Sequence, residues 1–190
     1  MNTGKMKTNR TMKTSIKLVL GIAVVAFTAC SIGEDKKAES NTAHEGHAQT
    51  TASTAAPAFE DPKAAAVYEH YLHLKDALVE GNGTEAQAGA AALQTALTEA
   101  GNSKGADHAG KIASVKDVEV QRAELEALTT EVEGVVKASH LTGGVIYKQY
   151  CPMANNDKGA YWLSSEKEIK NPYFGDAMLA CGEVKEEIKQ

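Results

Sequence analysis

The sequence predicts a mainly α-helical protein: a small antiparallel helical bundle, followed by a short irregular and β-containing C-terminal cap. Three observations support this fold class. Apolar residues between positions 60 and 140 recur every three to four residues, as on one face of a helix. Short loops separate these periodic segments, and short loops favour antiparallel neighbours. After residue 140, brief runs of β-branched and aromatic residues are broken by Gly, Pro and Asn, which is typical of strands and turns.

Residues 1–29 have the pattern of a signal peptide. Five basic and no acidic residues accompany an apolar run from Leu18 to Phe27, which is too short to span a bilayer as a helix but suits a signal sequence. The run leads into the letters FTAC, which resemble the lipobox of bacterial lipoproteins, so we predict lipid attachment at Cys30. Ordinary cleavage that leaves Cys30 as a free thiol, and an uncleaved anchor, are the alternatives.

Residues 30–59 are rich in Ala, Thr, Ser and charged residues and almost lack large apolar ones. Such a segment cannot offset the entropy of ordering, so we predict a disordered tether between the lipid and the folded domain. His44 and His47 lie within it and could loosely hold a soft or borderline metal, although two histidines in a flexible tether usually have no specific role.

Net charge restricts the partners. Of the 20 Lys and Arg residues, five lie in residues 1–29, so 15 remain against 25 acidic residues, a net charge of −10. Nucleic acids and anionic lipid surfaces require basic patches. We therefore predict no nucleic-acid partner, membrane contact through the lipid anchor only, and a location in the cell envelope, on its periplasmic or surface face.

The predicted bundle, residues 60–140, opens with a clear helix start. Asp61 suits the N-cap, Pro62 the first helical position, and Gly81 the position just after the helix. Between them lies one apolar stripe, at Val67, Tyr71, Leu74 and Leu78.

A second helix is predicted from Thr84, where Gln87 completes a capping-box pattern, to a stop at Gly101. Its face consists mainly of alanine with Leu93 and Leu97, and such small residues permit a neighbouring helix to approach closely.

A short third helix is predicted near residues 107–115, and a long fourth helix over residues 117–139. The fourth would be about 33 Å long at a rise of about 1.5 Å per residue. Its near-heptad pattern comprises Val118, Gln121, Leu125, Leu128, Val132 and Val135.

The predicted cap, residues 141–190, holds four sulfur-bearing residues: Cys151, Met153, Met178 and Cys181. Thiolates and thioethers are soft donors, which select Cu(I) and Ag(I) over zinc or iron. Met178 and Cys181 would meet on one face if their segment were helical. The four sulfurs could then form a single site for a soft monovalent ion.

Three other interpretations of these residues stay open. A Cys151–Cys181 disulfide would contribute about 3–4 kcal/mol in the chain-entropy model. Met153 and Met178 could instead be ordinary core filler, which is the commonest use of methionine. Both cysteines could also be buried, inert thiols. Spacing alone does not decide among these interpretations.

The cap also carries a distinctive series of motifs: Cys-Pro-Met-Ala, Gly-Ala-x-Trp-Leu-Ser, Asn-Pro-Tyr-Phe-Gly and Met-Leu-x-Cys-Gly. This series resembles the DUF3347 family, common in Bacteroidetes. Members occur as stand-alone secreted proteins and lipoproteins, and as a C-terminal extension of copper/silver efflux periplasmic adaptor proteins. The resemblance covers about residues 61–188 and is most specific over residues 147–184.

The resemblance implies copper or silver handling outside the inner membrane. The matching positions imply Cys151, Met153, Met178 and Cys181 as metal ligands. We predict an extracytoplasmic lipoprotein whose DUF3347-like domain, residues 60–190, binds Cu(I) or Ag(I) as a chaperone, buffer or efflux accessory. Its expected partner is a heavy-metal efflux complex or periplasmic adaptor. The scaffold positions implied by the resemblance are Trp162, Asn171, Pro172 and Gly175.

The alternative function is a non-metal envelope interaction module with a structural Cys151–Cys181 disulfide. A mixture is a third case, with a disulfide when the site is empty and a thiolate pair when it is loaded.

The remaining candidate residues are less specific. His70 and His73, three residues apart, could share a ligand but fit solvated boundary positions better. His140 follows the long helix and could face its negative end. No catalytic motif is evident, so we predict no enzyme; the nearest catalytic reading is a thiol oxidoreductase using Cys151, which requires a low-pKa thiol.

Overall fold

Residues 56–190 are described by a computed structural model, in which four long helices precede a small antiparallel sheet. This arrangement confirms the predicted mainly α fold class. The helices are α1 (Pro62–Val79), α2 (Gly83–Glu99), α3 (Ser103–Ala113) and α4 (Val118–Ala138). The strands are β1 (Ala58–Phe59), β2 (Leu141–Gly143), β3 (Ile146–Cys151), β4 (Ala160–Ser164) and β5 (Glu183–Ile188).

Helix α1 has the predicted ends. The Asp61 side chain accepts a hydrogen bond from the backbone N–H of Lys63 at 2.8 Å, and Pro62 occupies the first helical position. Gly81 follows the helix with a φ of +66°, a conformation that costs glycine little because it has no Cβ. The predicted apolar stripe of Val67, Tyr71, Leu74 and Leu78 is fully buried.

The start of α2 differs from the prediction, because Asn82 and not Thr84 is the N-cap. The Asn82 side chain accepts a hydrogen bond from the N–H of Glu85 at 3.1 Å, and Asn is a better cap than Thr. The Gln87 amide does not complete a capping box; it donates to the carbonyl of Ala113 in α3 at 2.7 Å. A Cβ at Gly83, the first residue of the helix, would collide with the backbone carbonyl of Lys116.

Helix α3 starts four residues before the predicted position 107, by the same device. Gly101, with a φ of +79°, ends α2 as predicted, and the next residue, Asn102, caps α3 by accepting from the N–H of Gly105 at 2.8 Å. The Gly81-Asn82 and Gly101-Asn102 pairs therefore each end one helix and start the next. This double use of a Gly-Asn pair is the signal that the sequence analysis missed.

Helix α4 has the predicted boundaries, with Asp117 accepting from the N–H of Glu119 at 2.9 Å. Its buried face is only partly the predicted one, because Val118 and Val135 are half-buried and Val136 is buried in their place. A straight helix turns once per 3.6 residues, so a heptad pattern drifts around its surface. The buried residues are Gln121, Leu125, Leu128, Thr129, Val132 and Val136.

Each long helix packs against the next, and α4 returns to contact α1. The predicted small-residue face of α2 permits a close approach: a Cβ at Gly89 would lie 3.2 Å from the Cα of Leu74 in α1. The same hydrophobic core continues from the bundle into the C-terminal region, where Trp162 and Leu163 are fully buried. The cap is therefore an extension of the bundle core.

In the cap, β3 is the central strand of a three-stranded antiparallel sheet with the order β4-β3-β5. Strand β4 packs against α4. Strand β1 pairs with β2, so Ala58 and Phe59, placed by the sequence analysis at the end of the tether, form a short strand. Within residues 56–190, no helix is both long and apolar enough to cross a membrane.

Candidate functional site

The two cysteines of the cap lie side by side. Their Sγ atoms are 2.7 Å apart, and no disulfide bond joins them. Cys151 is the last residue of β3 and is fully buried, whereas Cys181 precedes β5 and is partly exposed. Pairing of Tyr150 with Glu183 in the sheet brings the two positions together. A fixed strand end and a more accessible loop thus supply one thiol each.

Asn171 holds the loop that carries Cys181. This fully buried side chain donates to the carbonyl of Cys181 at 2.7 Å and accepts from the N–H of Tyr173 at 2.8 Å. The backbone N–H of Asn171 donates to the carbonyl of Leu179 at 2.9 Å. One side chain therefore supplies the polar groups that a backbone ladder would supply elsewhere, which fits the scaffold role that the resemblance implies for this residue.

The other three implied scaffold residues also contact this region. The carbonyl of Pro172 accepts from the Arg122 side chain, and Trp162 lies against Gly182. Gly175 has a φ of +54°, and a Cβ there would lie 2.7 Å from the carbonyl oxygen of Val79. These contacts hold the Cys181 loop against the ends of the helices.

The thiol of Cys181 keeps its proton at neutral pH. A hydrogen bond with Cys151, together with burial, raises the pKa of Cys181 from its ordinary value of 9.0 to about 11. A soft metal ion binds the thiolate form, so binding to this pair must release protons. The shift is also opposite to the one that an attacking thiolate requires.

The two methionines lie apart from the hydrophobic core. Met153 is 47% exposed and Met178 is partly buried. Neither belongs to the core nor to the residues packed against it, so core filling does not explain them. Both line a single cavity of about 430 Å³, between α4 and the turn that follows β3. The lining of this cavity includes neither Cys151 nor Cys181.

The structure thus brings the two cysteines together and places both methionines on one cavity. The expected helical face shared by Met178 and Cys181 is absent, because a 3-10 turn, Gly175–Ala177, ends before Met178. The chain then bends, and the N–H of Cys181 donates to the carbonyl of Met178 at 3.0 Å.

The histidines of the described residues have separate surroundings. His73 is 2.7 Å from Glu85, and His108 is 2.9 Å from Glu124. The carbonyl of His140 accepts from the N–H of Glu60 at 3.0 Å. Across residues 56–190, no group of three or more His, Cys, Asp or Glu side chains is arranged to hold a metal ion. Cys30, His44 and His47 lie outside the described residues.

Arg122 is a site residue that the sequence analysis missed. Its guanidinium donates to the carbonyls of Pro172 and Leu78, each at 2.8 Å, and to the carboxylate of Glu119 at 2.7 Å. It thereby joins the end of α1, the middle of the cap and α4. It is also the only arginine after residue 29, which was the available signal for a specific role.

Glu133 makes a second link between bundle and cap. Its carboxylate, on α4, lies 2.8 Å from Lys148 of β3 and 2.8 Å from Lys137. Burial alone would raise the pKa of Glu133, but the hydrogen bonds from the two lysines outweigh it and lower the pKa. Glu133 is therefore ionised at neutral pH and anchors the central strand.

Part of the chain matches a known protein family. Residues 67–144 match the family described as protein of unknown function (DUF3347). This match supports the resemblance to the DUF3347 family noted in the sequence. No curated protein and no solved structure is similar enough to count as a match. The matched range covers most of the bundle and strand β2 and ends before Cys151, although the resemblance noted in the sequence is most specific after that point.

Proposed function

We propose that this DUF3347 domain binds Cu(I) or Ag(I), and that Cys151 and Cys181 are its principal ligands. The observation that carries the proposal is the 2.7 Å separation of two sulfur atoms in a segment that Asn171 holds in place. Thiolates are the protein ligands that soft monovalent ions prefer. A pre-formed pair also removes part of the entropy cost of assembling a site.

Binding requires a small opening of the pair. Two sulfurs that each lie about 2.3 Å from one metal ion are about 3.7 Å apart at a tetrahedral angle. They are about 4.6 Å apart in the linear arrangement that Cu(I) and Ag(I) adopt with two ligands. Cys181 is the sulfur suited to move by the required distance of about 1–2 Å, because Cys151 is fixed at the end of the central strand. Opening would also break the hydrogen bond that raises the pKa of Cys181 and so favour loss of its proton.

The biological setting of the proposal comes from the sequence. A lipid anchor at Cys30 would hold the domain in the cell envelope, on the periplasmic or surface face. A chaperone, a buffer and an efflux accessory all suit a soft-metal site there. A heavy-metal efflux complex or periplasmic adaptor is the partner that we propose.

A second candidate function is an envelope interaction module without metal, in which the two cysteines form a disulfide. The same 2.7 Å separation favours it, because the sulfurs need to approach by only about 0.7 Å to reach bonding distance. Disulfides persist in oxidising compartments outside the cytoplasm. The bond would then stabilise the cap and leave the bundle as the docking surface.

A competition titration tests the metal proposal. The full chain with Cys30→Ala, which removes the third thiol, is reduced and titrated with Cu(I) against a chromophoric chelator. We expect uptake of one tightly held ion, and a loss of affinity of at least about a hundredfold in the Cys151→Ser/Cys181→Ser variant, because Cu(I) strongly prefers thiolates to hydroxyls. Equal affinity in both chains would exclude the cysteine site.

A redox measurement tests the second candidate. Free thiols are counted by mass spectrometry after alkylation of the chain isolated from the envelope, with and without reductant. A disulfide that resists reductant until the chain unfolds would support the structural bond. Ready reduction in the folded state, followed by metal uptake, would support the metal site.

A further inference from the structure

The only two methionines after residue 29 line the same cavity. The chain has five methionines, of which three, Met1, Met6 and Met12, lie in the predicted signal peptide. The other two, Met153 and Met178, are 25 positions apart in sequence and are brought to one cavity of about 430 Å³. Neither packs in the core, where methionine is commonly used as filler. Both side chains therefore border a space that can admit a ligand.

A left-handed turn builds one wall of this cavity. Asn155, Asn156 and Asp157, which directly follow the Met153-Ala154 pair, have φ values of +52°, +56° and +62°. Left-handed conformations cost non-glycine residues about 1–2 kcal/mol each, although Asn and Asp tolerate them best. The Asn155 amide donates to the carboxylate of Glu126 in α4, which ties the turn to the helix. The strain is concentrated where the chain positions Met153.

The charges on the cavity wall suit a monovalent cation. Its lining includes the carboxylates of Glu119 and Asp157 and the guanidinium of Arg122, a formal charge of −1. The guanidinium already donates hydrogen bonds to two backbone carbonyls and to Glu119. Phe174 and Tyr173 add aromatic rings to the wall, and ring faces attract cations.

We propose that Met153 and Met178 form a second, separate thioether site for Ag(I) or Cu(I) on this cavity. The inference rests on the proposed function for the ion class but divides the four sulfurs into two sites. Thioethers carry no proton and form no disulfide, so this site loads without proton release and irrespective of the oxidation state of Cys151 and Cys181. It is more accessible than the thiol pair and so acts as the entry site for metal.

Methionine methyl resonances test this site directly. The full chain with Cys30, Cys151 and Cys181 all replaced by Ser is labelled with ¹³C at the methionine methyl groups and titrated with Ag(I) at pH 6 and pH 8. We expect the resonances of Met153 and Met178 to shift together and saturate at one equivalent. The affinity should change by less than about twofold between the two pH values, because no proton is released. Met1, Met6 and Met12 serve as internal controls for adventitious binding.

Single substitutions show whether the two sulfurs act as a pair. Met153→Leu should weaken Ag(I) binding by at least about tenfold as read at the Met178 methyl group, and Met178→Leu should do the same at Met153, because leucine keeps the apolar volume but removes the donor. The proposal is overturned if these methyl groups respond no earlier than those of Met1, Met6 and Met12. It is also overturned if either leucine variant leaves the other methionine unaffected.

The two proposals fail in different ways. If only the thioether site is wrong, the thiol-free chain binds no silver specifically while the reduced chain with both cysteines still holds one ion tightly. If only the cysteine site is wrong, removing the thiols leaves Cu(I) affinity unchanged, and the methionine resonances still respond to one equivalent of Ag(I).

Discussion

The bundle and the cap are held together in different ways. In the bundle, local signals define each helix: Asp61, Asn82, Asn102 and Asp117 each accept a backbone hydrogen bond at a helix start. In the cap, buried side chains make hydrogen bonds to backbone groups that are distant in sequence. Gln149, fully buried on β3, donates its amide to the backbone carbonyls of residues 166, 167 and 168 at 2.8–3.3 Å.

The four sulfur-bearing residues lie in the region that depends on long-range contacts. Helices satisfy their own backbone groups, so their side chains are free to pack. The cap has long loops whose backbone groups must be satisfied by side chains such as Asn171 and Gln149. Those loops bring residues 151–153 close in space to residues 178–181.

The largest expected effect comes from removing the core of the cap. Trp162→Ala should lower the free energy of unfolding by about 3–5 kcal/mol, because a fully buried indole leaves a large cavity. Urea unfolding followed by circular dichroism measures the change. Val120→Ala, at an exposed position of α4, is the control and should change stability by less than about 0.5 kcal/mol. A loss below about 1 kcal/mol for Trp162→Ala would mean that the cap contributes little to global folding.

The next prediction breaks the link between the two regions. Arg122→Lys keeps the charge but loses the fork that reaches both Pro172 and Leu78, and we expect a loss of about 2–3 kcal/mol. Hydrogen exchange should show whether the loss falls on the cap. Greater exchange at residues 171–182 with unchanged protection of α2 supports this role. Uniform loss across the bundle would contradict it.

Alkaline pH should weaken another link between the bundle and the cap, which Tyr71 makes. Tyr71 of α1 makes a 2.8 Å hydrogen bond with Thr129 of α4 and accepts one from the N–H of Leu163 in β4. Burial raises the pKa of Tyr71 from 10.0 to about 12. The folded state holds this proton more tightly than the unfolded state, so the stabilisation is complete below pH 10 and is lost as pH rises through 12.

This predicts that stability falls between pH 10 and pH 12, with a contribution from Tyr71 of up to about 1.4 kcal/mol per pH unit. In Tyr71→Phe the same contribution should vanish and the slope should be shallower. The measurement is urea unfolding at several pH values in a chain without thiols, because the raised pKa of Cys181 acts in a similar range. Identical slopes in both chains would show that Tyr71 does not titrate as a buried group.

The smallest expected effect concerns the left-handed turn beside Met153. Asn156 has a φ of +56°, so Asn156→Ala should cost about 1 kcal/mol, whereas Asn156→Gly should be neutral or slightly stabilising. Thermal unfolding of the matched pair measures the difference. Equal stability of the two variants would show that the turn adopts another conformation in solution.

Local signals explain how far the sequence could predict this structure. The ends of α1 and α4 follow from Asp61, Gly81 and Asp117, since each acts on residues within one helical turn. The predicted start of α3 is wrong by four residues, because Asn102 caps the helix directly after Gly101. For the cap, the sequence predicts that strands and turns are present, without the bounds of each strand.

The arrangement of the candidate ligands could not be predicted from the sequence. The four sulfurs were predicted to form one site, but their grouping depends on the pairing of β3 with β5 and on the path of the loop from residue 165 to residue 182. Asn171 and Arg122, which hold that loop, bond to groups distant in sequence. No local pattern encodes such contacts.

The position of the single tryptophan gives the chain an intrinsic optical reporter. The indole of Trp162 lies so close to Gly182 that a Cβ there would be 2.8 Å from its Cη2 atom, and Gly182 directly follows Cys181. A heavy ion held by the thiol pair would sit near this ring and quench its fluorescence. Occupancy of the two proposed sites could therefore be followed separately: the fluorescence of Trp162 would report on the thiol pair, and the labelled methyl resonances would report on the thioethers.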